Sequence, residues 1–184
     1  MPKKSNDKGS AFERQVCKKL SLWVSNGQRD DLFWRTSQSG GRATIGLQSG
    51  TKRSAQAGDI GVIDSLGQDL IHRYVVECKH YESLDLHRLP MGSGGRFFKF
   101  WNEACEDARN HSKLPILIAK QNFLPTLLAV DAKGQKSANQ ALRPRKAIYK
   151  LYSPVQGCYI YDFEEFLKHV EPGSFAHGSG TNHR

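Results

Sequence analysis

Apolar residues Phe12, Val16, Leu20 and Trp23 recur at three- and four-residue steps through residues 10–26, a spacing that predicts a helix stopped by Gly27. Residues 31–37 (DLFWRTS) read as a short strand, followed by a long polar stretch without periodicity that runs to Ala57. Two apolar runs, residues 59–63 and 70–76, flank the segment Ser65-Leu66-Gly67-Gln68-Asp69, and together they predict a β-hairpin. Residues 80–95, with Pro90 and three glycines, read as a loop or short helix. A second amphipathic helix is expected over residues 96–110, with Phe97, Phe100, Trp101, Ala104, Cys105 and Ala108 on its apolar stripe. The runs at residues 115–120 (PILIAK) and 126–131 (TLLAVD) are almost wholly apolar, as in strands covered on both faces. Residues 147–153 suggest another strand, and 159–170 a strand leading into a short helix.

Composition narrows the class of partner. Lys and Arg number 27 against 18 Asp and Glu, a formal charge of +9, which favours a polyanion, nucleic acid above all. The densest basic stretch runs from residue 132 to 150 and contains Arg143, Arg145 and Lys146 and no acidic residue, so it is the leading candidate for contact with a duplex backbone. Four scattered cysteines indicate neither a disulfide framework nor a Cys-type zinc site. No stretch has the apolar length of a membrane span and no apolar signal region follows the first residues, so a cytoplasmic protein is expected. A Gly-x-x-x-x-Gly-Lys-Ser/Thr phosphate loop is absent.

The candidate chemistry sits at the far end of the predicted hairpin, where Asp59, Glu77 and Lys79 fall. Opposite residues in an antiparallel pair share a face, and side chains alternate with period two. A loop of odd length centred on Gly67 sets Asp59 opposite Val75, with Glu77 diagonal to it and Lys79 next on the same face. A two-residue Leu66-Gly67 turn would send Asp59 to the other side, so convergence requires the odd loop. Two carboxylates this close bind either a proton or a cation. Two hard oxygen ligands suit Mg²⁺, with Mn²⁺ as substitute, because Mg²⁺ keeps several waters and takes the rest of its shell from phosphate. Lys79 could orient the attacking water or the scissile phosphate, or act as a base if metal and burial depress its pKa. The plain alternative is a turn aspartate followed by an ordinary solvated strand face.

Gly58-Asp59-Ile60, Tyr74-Val75-Val76 and Glu77-Cys78-Lys79 together resemble the active-site hairpin of the PD-(D/E)xK nuclease superfamily, with Gly58 where the name-giving pattern has proline. Gly9-x-x-Phe12-Glu13 is similar to the first-helix motif of that superfamily, in which the glutamate faces the metal site. Ser10-Ala11-Phe12-Glu13 equally fits a capping box. Arg35-x-x-x-Ser39-Gly40 is similar to the signature of archaeal-type Holliday junction resolvases, where the serine and a basic loop lie beside the scissile phosphate.

The resemblance covers residues 9–131 and implies an α/β protein with a restriction-endonuclease-like core, α-β-β-β-α-β-β, its mixed sheet flanked by helices. It implies an Mg²⁺-dependent endodeoxyribonuclease, selective for branched DNA and homodimeric. The implied catalytic residues are Glu13, Asp59, Glu77 and Lys79, with Asp59 and Glu77 holding the metal. Arg35, Ser39, Arg42, Lys52 and Arg53 join the three basic residues named above as expected DNA contacts. Around the core at 9–131 the expected organisation is a flexible basic arm at 1–8, a basic extension packing on the core at 132–170, and a disordered tail at 171–184. Two other functions fit the same residues, a sequence-specific restriction-type nuclease and a non-catalytic DNA-binding module.

Overall fold

Ser21 shows how the first two elements are joined. Its buried hydroxyl donates to the Cys17 carbonyl and accepts from the backbone N–H groups of Leu32 and Phe33, at 3.0 and 3.1 Å. Helix α1 (Ser5–Val24) is thereby fastened to strand β1 (Phe33–Arg35). Gly27, at φ +83°, ends the helix as its position suggested, with its N–H on the Leu22 carbonyl. The computed structural model describes residues 5–36, 57–132 and 150–176. The expected DNA contacts Ser39, Arg42, Lys52, Arg53, Arg143, Arg145 and Lys146 lie outside those residues.

Strand β1 pairs antiparallel with β2 (Ile60–Val62), Arg35 opposite Ile60. A five-stranded mixed sheet carries the rest: β3 (Tyr74–Tyr81), β4 (Leu114–Gln121), β5 (Thr126–Asp131), β6 (Lys150–Ser153) and β7 (Cys158–Asp162), in spatial order β3-β4-β5-β7-β6. β3 and β4 run parallel, and the other pairs are antiparallel. The chain is thus α/β with a mixed sheet flanked by helices, as expected.

Period two along β3 and β4 assigns the two faces. Val76, Cys78, Ile116 and Ile118 pack with α1 residues Phe12, Val16 and Leu20 and with Phe163 and Phe166 of α4 (Phe163–His169). Leu117 and Ala119 pack instead with Phe97, Phe100 and Trp101 of α3 (Gly95–Asn110).

The predicted hairpin does not form. Between β2 and β3 the chain makes a 3₁₀ turn (Ser65–Gly67) and then helix α2 (Gln68–Arg73), so residues 70–73 are helical and the odd-length loop is absent. Asp64 caps the turn by accepting from the Leu66 N–H. Gly67 serves close packing here, because a Cβ would stand 2.7 Å from the Phe33 ring. The short apolar run 70–76 fits a strand or a buried helical turn equally well by periodicity.

Two boundaries also differ. Helix α1 begins at Ser5, within the segment expected to be a flexible arm. The first part of the tail expected to be disordered forms α5 (Pro172–Ala176), whose Phe175 is buried and stacks on Tyr74 with centroids 4.7 Å apart. The Tyr74 hydroxyl donates to the Phe175 carbonyl, and the Trp23 indole N–H donates to the Val170 carbonyl. One aromatic ring in the right place outweighs a polar local composition. Residues 150–170 extend the central sheet itself, β7 pairing with β5.

Candidate active site

Asp59 lies where the two sheets meet. Its carbonyl accepts from the Thr36 N–H at 2.8 Å, and its own N–H donates to the Val76 carbonyl at 2.9 Å. Its carboxylate Oδ2 accepts from the Cys78 N–H at 2.8 Å. Asp59 therefore sits alongside β3 at the edge β4 does not cover, fixed by backbone on both sides. Gly58 makes the approach possible, with φ +78° and so little room that a Cβ would meet the Val76 carbonyl oxygen at 2.7 Å. Proline cannot adopt that φ. The departure from the Pro-Asp pattern has a steric cause. The Thr36 hydroxyl donates to the Gly58 carbonyl at 2.6 Å and closes the bend.

Glu77 and Lys79 share the α3 face of β3, beside their β4 partners Leu117 and Ala119. Lys79 Nζ donates to Glu77 Oε2 at 3.0 Å, with both side chains largely buried. Burial first, and the charge of Asp59 second, push the Glu77 carboxyl up to about 7, against the pull of Lys79. Burial pulls the Lys79 ammonium down, but Glu77 and Asp59 outweigh it and its pKa is raised overall. Lys79 therefore stays charged at neutral pH in the metal-free protein. The Asp59 carboxylate thus meets β3 between Glu77 and Lys79, and no hairpin turn brings it there.

Glu13 is placed differently. It is buried at 8 % exposure, and its Oε2 accepts from Arg35 Nε at 2.8 Å. It lies four residues before Cys17 on α1, against the face opposite Glu77. Its charge acts on Cys17 and Cys78, as does that of Asp59, while the charges acting on Glu77 are Asp59, Lys79 and Asp107. The capping-box reading of Glu13 fails because α1 starts five residues before Ser10. Arg35, expected to meet DNA, is the partner of Glu13.

Asp107 was not singled out from sequence. It adds negative charge toward Glu77 from α3, and the signal was an acid seven residues after Phe100, on the edge of the apolar stripe. Phe100 supports the cation, with Lys79 Nζ 5.7 Å from its ring centroid. Thiol chemistry is disfavoured: burial pushes Cys17 and Cys105 up to about 11, Cys158 up to about 12, and Cys78 well above its usual value.

Among the described residues no group of three or more His, Cys, Asp or Glu side chains is arranged to hold a metal ion. The donor set at β3 is a pair of hard carboxylates, one raised in pKa first by its burial and second by the charge of the other. That chemistry fits a divalent cation that keeps most of its waters, and a cation there would remove the mutual penalty. No helix of the described residues is long and apolar enough to cross a membrane.

A family model described as phage putative PDDEXK endonuclease matches residues 4–177. No curated protein and no solved structure matches the chain.

Proposed function

Since this chain belongs to the phage putative PDDEXK endonuclease family, we propose that it is a metal-dependent endodeoxyribonuclease whose active site is Asp59, Glu77 and Lys79. The observation that carries the reading is geometric: the Asp59 carboxylate is held on the Cys78 N–H at 2.8 Å, between Glu77 and Lys79, which pair with each other at 3.0 Å. Carboxyls perturbed by desolvation and a specific charge partner, as Glu77 is, cluster at functional sites.

Asp59 and Glu77 would hold Mg²⁺, or Mn²⁺ in its place. When bound, the ion supplies a water of lowered pKa and neutralises charge on the phosphate. Lys79, charged in the metal-free protein, would face the scissile phosphate oxygens and orient the water that attacks phosphorus. The Cys78 N–H holds the Asp59 carboxylate in place. Glu13 acts at one remove, through the Arg35 pair that braces β1.

Branched DNA as preferred substrate and a homodimeric state rest on the resemblance of Arg35 and Ser39-Gly40 alone. The test is cleavage of four-way junction, flap, nicked, linear duplex and single-stranded DNA with Mg²⁺, the Lys79→Ala protein alongside. Cleavage by the parent and not by the variant supports the assignment, and a junction cut ahead of linear duplex supports the narrower substrate. Discrete fragments from plasmid DNA point to a sequence-specific enzyme instead. Cleavage no more than weak on every substrate and equal in both proteins, with DNA still bound, would refute the catalytic reading in favour of a DNA-binding module.

A further inference from the structure

The turn joining β4 to β5 presents Phe123 fully exposed, with φ +63°, a left-handed conformation that a bulky side chain rarely adopts. The turn is nonetheless well braced. The Asn122 N–H donates to the Tyr81 carbonyl at 3.2 Å, and Asn122 Oδ1 lies 3.0 Å from His80 Nε2, whose ring packs on Phe12. Gln121 Oε1 accepts from the Leu84 N–H at 2.8 Å, and the Leu124 N–H closes on the Gln121 carbonyl. Exposed Leu124 and Pro125 follow. An apolar tip is held rigidly outward, against the tendency of such side chains to leave water.

We propose that this turn is a wedge that enters the base stack of bound DNA, with Phe123 as the inserting side chain. The proposal rests on the nuclease reading for its substrate. Its placement fits: the β4 partner of Lys79 is Ala119, four residues before Phe123, so the tip lies within about 13 Å of the catalytic lysine along the strand. That is about four base steps. Lys120 and exposed Arg96, whose guanidinium covers the Tyr81 ring at 5.5 Å, stand at the same end of the sheet. A narrow apolar projection near cations on a protein of net charge +9 suits a stack of bases flanked by phosphates better than a flat protein face. The wedge would favour DNA whose stack is weak a few steps from the cut, as at a mismatch or branch.

The test uses the full chain and a duplex carrying 2-aminopurine at successive positions, in EDTA so that nothing is cut. Binding of the parent should raise fluorescence at one step about threefold or more. Phe123→Ala should abolish the rise while affinity falls by less than about tenfold, since phosphate contacts supply most of it. Phe123→Trp should restore the signal, and because the side chain touches nothing, the variants should fold as the parent does. With Mg²⁺, the alanine variant should lose more activity on fully paired DNA than on DNA mismatched at that step. A flat signal in the parent, or an equal rise in the alanine variant, overturns the wedge. So does a flat signal coupled to loss of a dimer in sedimentation, which would give the tip to a second copy of the chain. A clear signal with no cleavage of any DNA would instead sink the nuclease reading and leave the wedge standing, so the two failures are distinguishable.

Discussion

The Asp59 carboxylate accepts the backbone N–H of Cys78 at 2.8 Å, so the acid is aimed by the very strand that carries Glu77 and Lys79 on its two neighbouring positions. A conserved geometry with an altered charge is therefore obtainable at residue 59. Asp59→Asn keeps an oxygen for that hydrogen bond and removes the negative charge. The expected result is an unchanged fold by circular dichroism, a loss of Mg²⁺-dependent cleavage of about a hundredfold or more, and a Glu77 pKa moved down toward the ordinary range in a carboxyl-detected NMR titration.

Glu77 makes the metal-free protein pH-sensitive. Its pKa rises from 4.5 to about 7 on folding, so its contribution favours the folded state fully below pH 4.5 and is lost as pH climbs through 7. The difference is worth about 3 kcal/mol. Lys79, with a raised pKa, is charged across this window and adds no slope. Glu77→Gln should therefore be more stable than the parent at pH 8, by roughly 2 kcal/mol, and close to it at pH 4, while losing cleavage. Urea unfolding at the two pH values checks this. Mg²⁺ should raise the parent's stability at pH 8 and leave the glutamine variant unmoved.

Lys79→Met tests the ammonium in the opposite sense. Without it the two acids repel with no counter-charge, so the Glu77 pKa should climb further and stability at pH 8 should fall by about 1–3 kcal/mol. Cleavage should drop with it. A variant as stable and as active as the parent would mean that the 3.0 Å pair with Glu77 matters little.

Gly58 tolerates no side chain. Gly58→Ala drives a Cβ to 2.7 Å from the Val76 carbonyl oxygen at a φ of +78°, and should destabilise the protein by roughly 2–4 kcal/mol. Gly58→Pro, which restores the letter of the family pattern, should be worse, because the ring excludes that φ altogether. Denaturant midpoints of the two variants order them.

The pair of Glu13 and Arg35 should behave as structure. Arg35→Ala leaves a buried carboxylate without its cation and should destabilise by about 3 kcal/mol. Glu13→Gln should be milder, because the exposed side of the guanidinium can reach water. A double-mutant cycle gives the coupling, and DNA affinity that falls only in step with stability would assign Arg35 to the frame.

Much of this was legible one element at a time. The stripe Phe97, Phe100, Trp101, Ala104, Ala108 marks α3 to within a residue, and TLLAVD coincides with β5. Both are long or apolar enough for burial to leave a periodic trace. Residues 70–73 failed because four residues carry too short a trace to separate a helical turn from a strand. Phe175 failed because its partners, Trp23 and Tyr74, lie a hundred residues or more away in the chain. The fate of Arg35 likewise turned on a glutamate 22 residues earlier.

Residue identity and local periodicity determined which groups could do chemistry here: two acids, one amine, a basic chain and apolar runs for a sheet. Tertiary structure decided how they meet. Asp59 reaches β3 because Thr36, just past the end of β1, and Val76 of β3 grip its backbone from either side, and a glycine lets them close in. Those partners are chosen by how α1, α2 and the two sheets pack, and long-range hydrogen bonds of that kind leave no period in the chain for a reader to find.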